Sequence, residues 1–103
     1  MAGPSTAIEA LSWAREAVVS GRYWVVDHAR DRQRQRGVTA ADMKNIIKKA
    51  KATDCEAYRE GIPRFGGTCW RVTGPSLDEI ATSIGVEVYV DHLGKRLVIA
   101  TVF

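Results

Sequence analysis

The apolar residues of this chain change their spacing near its middle, and that change bounds what it can fold into. In the first half, Ala7, Leu11, Ala14 and Val18 recur at the interval of one helix face, and Met43, Ile46, Ile47 and Ala50 do so again. In the second half, Val86-Glu87-Val88-Tyr89-Val90 alternates strictly, which is the period of a half-buried strand. The chain has 103 residues, enough for one hydrophobic core and too few for two. Helices followed by strands therefore predict a single α+β domain over residues 1–103, with about three N-terminal helices and an antiparallel sheet of about four strands.

Local signals place the elements. Thr6 with Glu9 three residues on forms a capping box, and Gly21 can end the helix that follows, giving a first helix over about 5–20. Tyr23-Trp24-Val25-Val26 is either a brief strand or a lead-in to a helix. Asp27 can cap a second helix over His28–Arg36, which Gly37 stops. Thr39 is a good N-cap for a third, with Asp42 in its first turn complementing the helix dipole. Cys55–Arg59 and Thr68–Thr73 flank the Gly/Pro-rich connection Gly61–Gly67, the chemistry of a hairpin with a longer loop. Residues 76–84 fit two patterns. Ser76 and Glu79 could open a helix, whereas Ile80, Thr82 and Ile84 share one strand face with Val86, and the unbroken period favours a strand. Arg96–Phe103 reads as the last strand.

Composition excludes several classes. No stretch approaches the roughly 18–20 apolar residues of a membrane span. Met1-Ala2-Gly3-Pro4 lacks a charged region and an apolar core, so a signal peptide is not expected and a soluble, cytoplasmic protein is. Two cysteines and two histidines are too few for a disulfide scaffold or a dedicated metal cage, so neither metal nor cofactor is expected. Cys55 and Cys69 lie symmetrically about Ile62 and could face each other across the hairpin, although a cytoplasmic setting favours free thiols. Neither has a neighbouring histidine to activate it.

The net charge of +3 conceals an asymmetry. Residues 22–51 hold nine basic and three acidic residues, a balance of +6, while the rest holds six and nine, a balance of −3. Such a division can present one basic face to a polyanion such as nucleic acid, or can be a solvated helix surface. Within it, His28, Arg32 and Arg36 fall within roughly 80° of one another on a helix, while Arg30 and Arg34 point elsewhere. One face thus joins a titratable imidazole to two permanent cations. An imidazole can remove a 2′-hydroxyl proton or protonate a leaving 5′-oxygen, and guanidinium groups can hold the phosphate between them. Cleavage through a 2′,3′-cyclic phosphate needs no metal. The plainer reading is a histidine paired with Asp27 or a carbonyl, and arginines whose stems cover the sheet.

His28-Ala29, Arg32 and Arg36-Gly37-Val38, followed by the Thr39-capped helix, resemble the signature of a bacterial family catalogued as a domain of unknown function. Trp70-Arg71-Val72 and the closing Thr101-Val102-Phe103 are similar to that family's late strands. The resemblance covers about Tyr23 to the C-terminus, and the family is in turn similar to RelE-type and BrnT-type toxins, small α+β ribonucleases of toxin–antitoxin pairs. It implies a RelE-like fold and RNA cleavage by His28 as acid or base, with Arg32 and Arg36 on the phosphate. It also implies RNA as partner, ribosome-associated RNA included, and an antitoxin or other acidic protein. Fold alone does not fix activity.

Three further residues are substrate-binding candidates. Arg71 can face a sheet surface shared with the His/Arg helix, or pair across strands with an acidic residue. Thr101 can donate a hydrogen bond there, or simply favour a strand. His92, in the turn Asp91–Gly94, could complete an acid–base pair with His28, or be an ordinary exposed turn histidine. Tyr23, Trp24 and Tyr89 could stack on unpaired bases, with core packing as the alternative. Two non-enzymatic functions compete. One is a DNA-binding helix–turn–helix over 28–51, weakened because Ala40-Ala41-Asp42 is a poor reading end. The other is a non-catalytic module, an immunity or assembly protein whose basic helix docks on an acidic partner.

Overall fold

The computed structural model describes residues 3–103. Helix α1 spans Ala7–Val19, α2 Asp27–Arg36 and α3 Ala40–Lys49. The strands are β1 Tyr23–Val25, β2 Cys55–Ala57, β3 Thr68–Pro75, β4 Ala81–Asp91 and β5 Gly94–Val102. The class is α+β, as expected, but the sheet is larger than expected and mixed. Its order is β1-β5-β4-β3-β2, with β1 parallel to β5 and the other neighbours antiparallel. Tyr23–Val25 supplies the fifth strand by pairing with Leu97–Ile99, a partner more than seventy residues away that no local pattern announces.

One sheet face carries Val72, Ile84, Val86, Val88, Leu97 and Ile99, all nearly inaccessible. Leu11 and Ala14 of α1 and Met43 and Ile46 of α3 join them in the core. Each buried aliphatic side chain contributes roughly 1.5–3 kcal/mol. The helix ends are closed from the side chains. Thr6 accepts from the Glu9 amide at 3.2 Å. Thr39 and Asp42 form a full capping box. Gly37 ends α2 at φ 66°, the left-handed conformation that glycine adopts without steric cost. At the far end of α3, Arg15 of α1 donates to the carbonyls of Ile47 at 3.0 Å and Ala50 at 2.5 Å, groups the helix itself cannot satisfy.

Helix α2 has a different basis. Its ten residues include one buried side chain, Ala29, which is fully inaccessible. The ladder between β1 and β5 ends with the Val26 amide on the Ile99 carbonyl at 3.1 Å. From there α2 takes the edge of β5 that β1 has left. Arg32 Nε donates to the Val102 carbonyl at 3.2 Å, occupying an acceptor that a longer β1 would have used.

Four local expectations change. Asp27 is the first residue of α2 and not its cap; the cap position is Val26, without a side-chain bond. Ser76–Glu79 is neither helix nor strand but a turn, in which the Ser76 amide bonds the Ile80 carbonyl and Ser76 Oγ accepts from the Ile80 amide. The strand begins at Ala81. The hairpin register pairs Cys55 with Val72 and Ala57 with Trp70, because the connection is not symmetric about Ile62. Cys55 therefore lies on the core face and Cys69 on the other, and the two thiols cannot bridge.

Two outcomes follow from this packing. Ala29→Leu inserts volume where α2 meets β5, so urea unfolding should show a loss of about 1–3 kcal/mol, and unchanged stability would contradict the tight contact. Asp42 accepts from the Thr39 amide, the Leu77 amide and the Thr39 hydroxyl, which hold its carboxyl below the ordinary value of 3.8. Its stabilisation is complete above that value and lost as pH falls through the lower folded value. The stability gap between wild type and Asp42→Asn should therefore narrow in urea titrations below pH 3.8.

Candidate functional site

His28 is the second residue of α2, and its ring reaches the sheet face turned away from α1 and α3. Nε2 lies 3.3 Å from Thr101 Oγ1. Thr101 points there because β5 contains a bulge. Gly85 pairs with Thr101 and Val86 with Ile99, so Ala100 is the extra residue. Arg71, Gly85 and Thr101 stand opposite one another on three adjacent strands and share this face. Gly85 is required by space, since a Cβ would come within 2.8 Å of Thr101 Cγ2 and 3.3 Å of the Phe103 ring. The Phe103 ring lies in that opening, with the Arg71 guanidinium 4.3 Å from its centroid and Tyr58 against it edge-on at 5.3 Å.

A cleft of about 480 Å³ opens on the same face between His28 and the connection that follows β2. Gly85 and Val98 lie at its floor, with Tyr58 and Phe65 among its walls. Glu87, only 4% exposed, sits at its base. The Glu87 carboxylate accepts from the amides of Arg64 at 2.8 Å, Phe65 at 2.9 Å and Gly67 at 2.9 Å. Three amide donors thus solvate one buried carboxylate, and the carboxylate holds the wall of the cleft in place. Phe65 continues the anchor by stacking on Tyr89 at 5.1 Å, with Trp24 edge-on at 5.4 Å. Trp24 and Tyr89 are thus engaged with each other and with Phe65, and Tyr89 is buried. Tyr23 is half-buried against the core.

The structure separates the other sequence candidates. Arg32 is half-buried, its Nε on Val102 and its Nη1 on Gln35 at 3.1 Å, so part of its guanidinium is committed to the sheet edge. Arg36 is exposed at the end of α2. Arg30 donates to the Val25 carbonyl and Arg34 pairs with Asp31, both away from His28. Arg71 lies two strands from Thr101, about 10 Å across the sheet. Its register neighbour on β2 is Glu56, yet its guanidinium stacks on Phe103. His92 sits in the β4–β5 turn, seven residues beyond Gly85 and just past the end of β4, hence about 20 Å away. It does not pair with His28. Burial pushes the Cys55 thiol up to about 11 and raises that of Cys69 as well, so neither is a thiolate nucleophile at neutral pH. Among the described residues, no three His, Cys, Asp or Glu side chains converge as a metal site.

Glu87 and Arg15 escaped the sequence reading because a charged residue in an alternating or amphipathic segment looks solvated. The available signal for Glu87 was a carboxylate between valines, opposite a loop with several free amides. No protein-family model, curated protein or solved structure matches the chain.

Glu87→Gln turns one acceptor oxygen into a donor facing backbone amides. Hydrogen exchange at Arg64, Phe65 and Gly67 should accelerate, with a stability loss of about 1–3 kcal/mol. Unaltered protection at these amides would show that the loop is held by other contacts.

Proposed function

We propose that this chain is a RelE-like endoribonuclease of the toxin class that cleaves single-stranded RNA without a metal. The observation that carries the reading is His28 Nε2, 3.3 Å from Thr101 Oγ1, at the mouth of a cleft sized for an unpaired nucleotide. His28 takes the proton of the 2′-hydroxyl. The 2′-oxygen then bonds to phosphorus as the bond to the 5′-oxygen breaks, leaving a 2′,3′-cyclic phosphate. The 5′-oxygen takes its proton from water, and the hydroxide so formed takes back the proton held by His28, which restores the neutral imidazole. With His92 at the opposite end of the sheet, the proton to the leaving group does not come from a second histidine. Thr101 positions the imidazole. Arg36 and the uncommitted part of Arg32 meet the phosphate, where fixed cations stabilise the developing charge. Tyr58 and Phe65 offer rings on which the neighbouring base stacks. Cytoplasmic RNA, ribosome-bound or free, is the substrate class.

A second reading, a non-catalytic RNA-binding module, is favoured by the commitment of Arg32 to the Val102 carbonyl. One experiment separates the two. Purified protein is incubated with single-stranded RNA and with translating ribosomes, with and without chelator. Products with 2′,3′-cyclic phosphate ends, formed regardless of chelator and reduced about 100-fold or more in His28→Ala, are expected. Tight RNA binding without cleavage favours the second reading, and intact RNA with no binding sinks both.

A further inference from the structure

The helical layer carries a second concavity, on the side of the sheet opposite the His28 cleft. It lies between the last turn of α1 and the flank of α3, with a volume of about 430 Å³. Val18 and Val19 form one wall, and Val19 is 89% exposed. Ala41, Lys44, Asn45 and Lys48 form the other, at the i, i+3, i+4, i+7 positions of one helix stripe. Leu77, 59% exposed, lines the groove from the turn after β3.

The exposure of Leu77 is built in. Its amide donates to the buried Asp42 carboxylate at 2.8 Å, and Asn45 Nδ2 donates to the carbonyls of Pro75 at 3.0 Å and Ser76 at 3.3 Å. Two residues later Glu79 adopts φ 63°, a left-handed conformation that a non-glycine residue holds at a cost. Three hydrogen bonds from α3 and a strained residue thus fix a large apolar side chain in solvent. Ordered apolar anchors of this kind bind with little loss of side-chain freedom.

Charge identifies the occupant. Three of the residues lining the groove are basic, Arg15, Lys44 and Lys48, and none is acidic. Arg15 is fixed by its two carbonyl bonds, and Lys44 Nζ lies 5.5 Å from the Tyr23 ring. An apolar trough with a cationic flank suits a helix that has one apolar stripe and acidic residues beside it. A second copy of this chain is a poorer fit. Its α2 and the exposed side of its α3 are basic. The outer side of α1, though it carries Glu9 and Glu16, has as its exposed large apolar residues Ile8 and Val19, of which Val19 lines the groove itself. We infer that this groove docks an acidic amphipathic helix from a partner protein. Because it opens away from the cleft, docking leaves His28 accessible.

The test uses the intact protein and three labelled helical peptides of about twenty residues. One has a leucine stripe flanked by glutamates, one has lysines in place of the glutamates, and one is a scrambled version of the first. Fluorescence anisotropy should show saturable binding of the acidic helix only. Leu77→Asp, at an exposed position, should weaken it at least tenfold with an unchanged circular dichroism spectrum. Lys44→Glu/Lys48→Glu should weaken it likewise and gain affinity for the lysine peptide. His28→Ala should bind like wild type, which separates this site from the nucleolytic one. Equal binding of the charge-inverted peptide, indifference to the double charge reversal, or wild-type self-association abolished by Leu77→Asp would each overturn the proposal, the last in favour of a homodimer.

Discussion

The close approach of α2 to the end of β5 is the constraint on which the candidate site depends. It requires a residue no larger than Ala29, fully buried at the contact, since α2 contributes no other buried side chain. Once the helix is seated, the side chains on either side of the alanine acquire their positions. His28 arrives beside Thr101, and Arg32, one turn on, reaches the Val102 carbonyl. The spacing of histidine, alanine and arginine thus has a mechanical meaning: the alanine sets the distance, one arginine closes the strand edge, and the histidine is what remains to face the cleft. A helix so poor in apolar contact depends on these few interactions, because propensity alone sustains short helices weakly.

The two faces of the sheet do different work. The face under α1 and α3 is aliphatic and densely filled, while the other is polar, aromatic and partly open. The open face is made orderly by Glu87, which gathers three amides of the connecting loop and so substitutes for a missing helical layer. A buried carboxylate satisfied by backbone donors is directional where an apolar contact is not, which suits a wall that must stay open.

Local features were readable from the sequence, and long-range ones were not. The Thr6 and Thr39 caps, the Gly37 stop and the buried stripe of α3 follow from interactions within a few residues, and each is found where the residues placed it. Glycine and capping chemistry act through the backbone nearby, so sequence records them. The parallel pairing of β1 with β5 joins residues 23–25 to 97–99, and nothing in Tyr23-Trp24-Val25 names its partner. The hairpin register was misjudged because symmetry about Ile62 assumes a loop of equal arms. At the site, the helical face holding His28, Arg32 and Arg36 was legible from periodicity. The division of labour among the three was not, because it depends on which carbonyl each one meets.

The bulge at Ala100 shifts the phase of β5. Upstream of it, Leu97 and Ile99 enter the core, and downstream Val102 does, so the alternation has slipped by one. If Ala100 sat in regular alternation, Thr101 would point into the core and Val102 towards His28, so the facing of Thr101 depends on Ala100 being bulged out. Deleting Ala100 would put Thr101 directly after Ile99 and keep Thr101 on the His28 face and Val102 in the core, on an unbulged ladder. Ala100 is exposed and can tolerate many side chains. The segment should accordingly accept substitution at Ala100, or its loss, more readily than the straightening of the bulge with Ala100 in place.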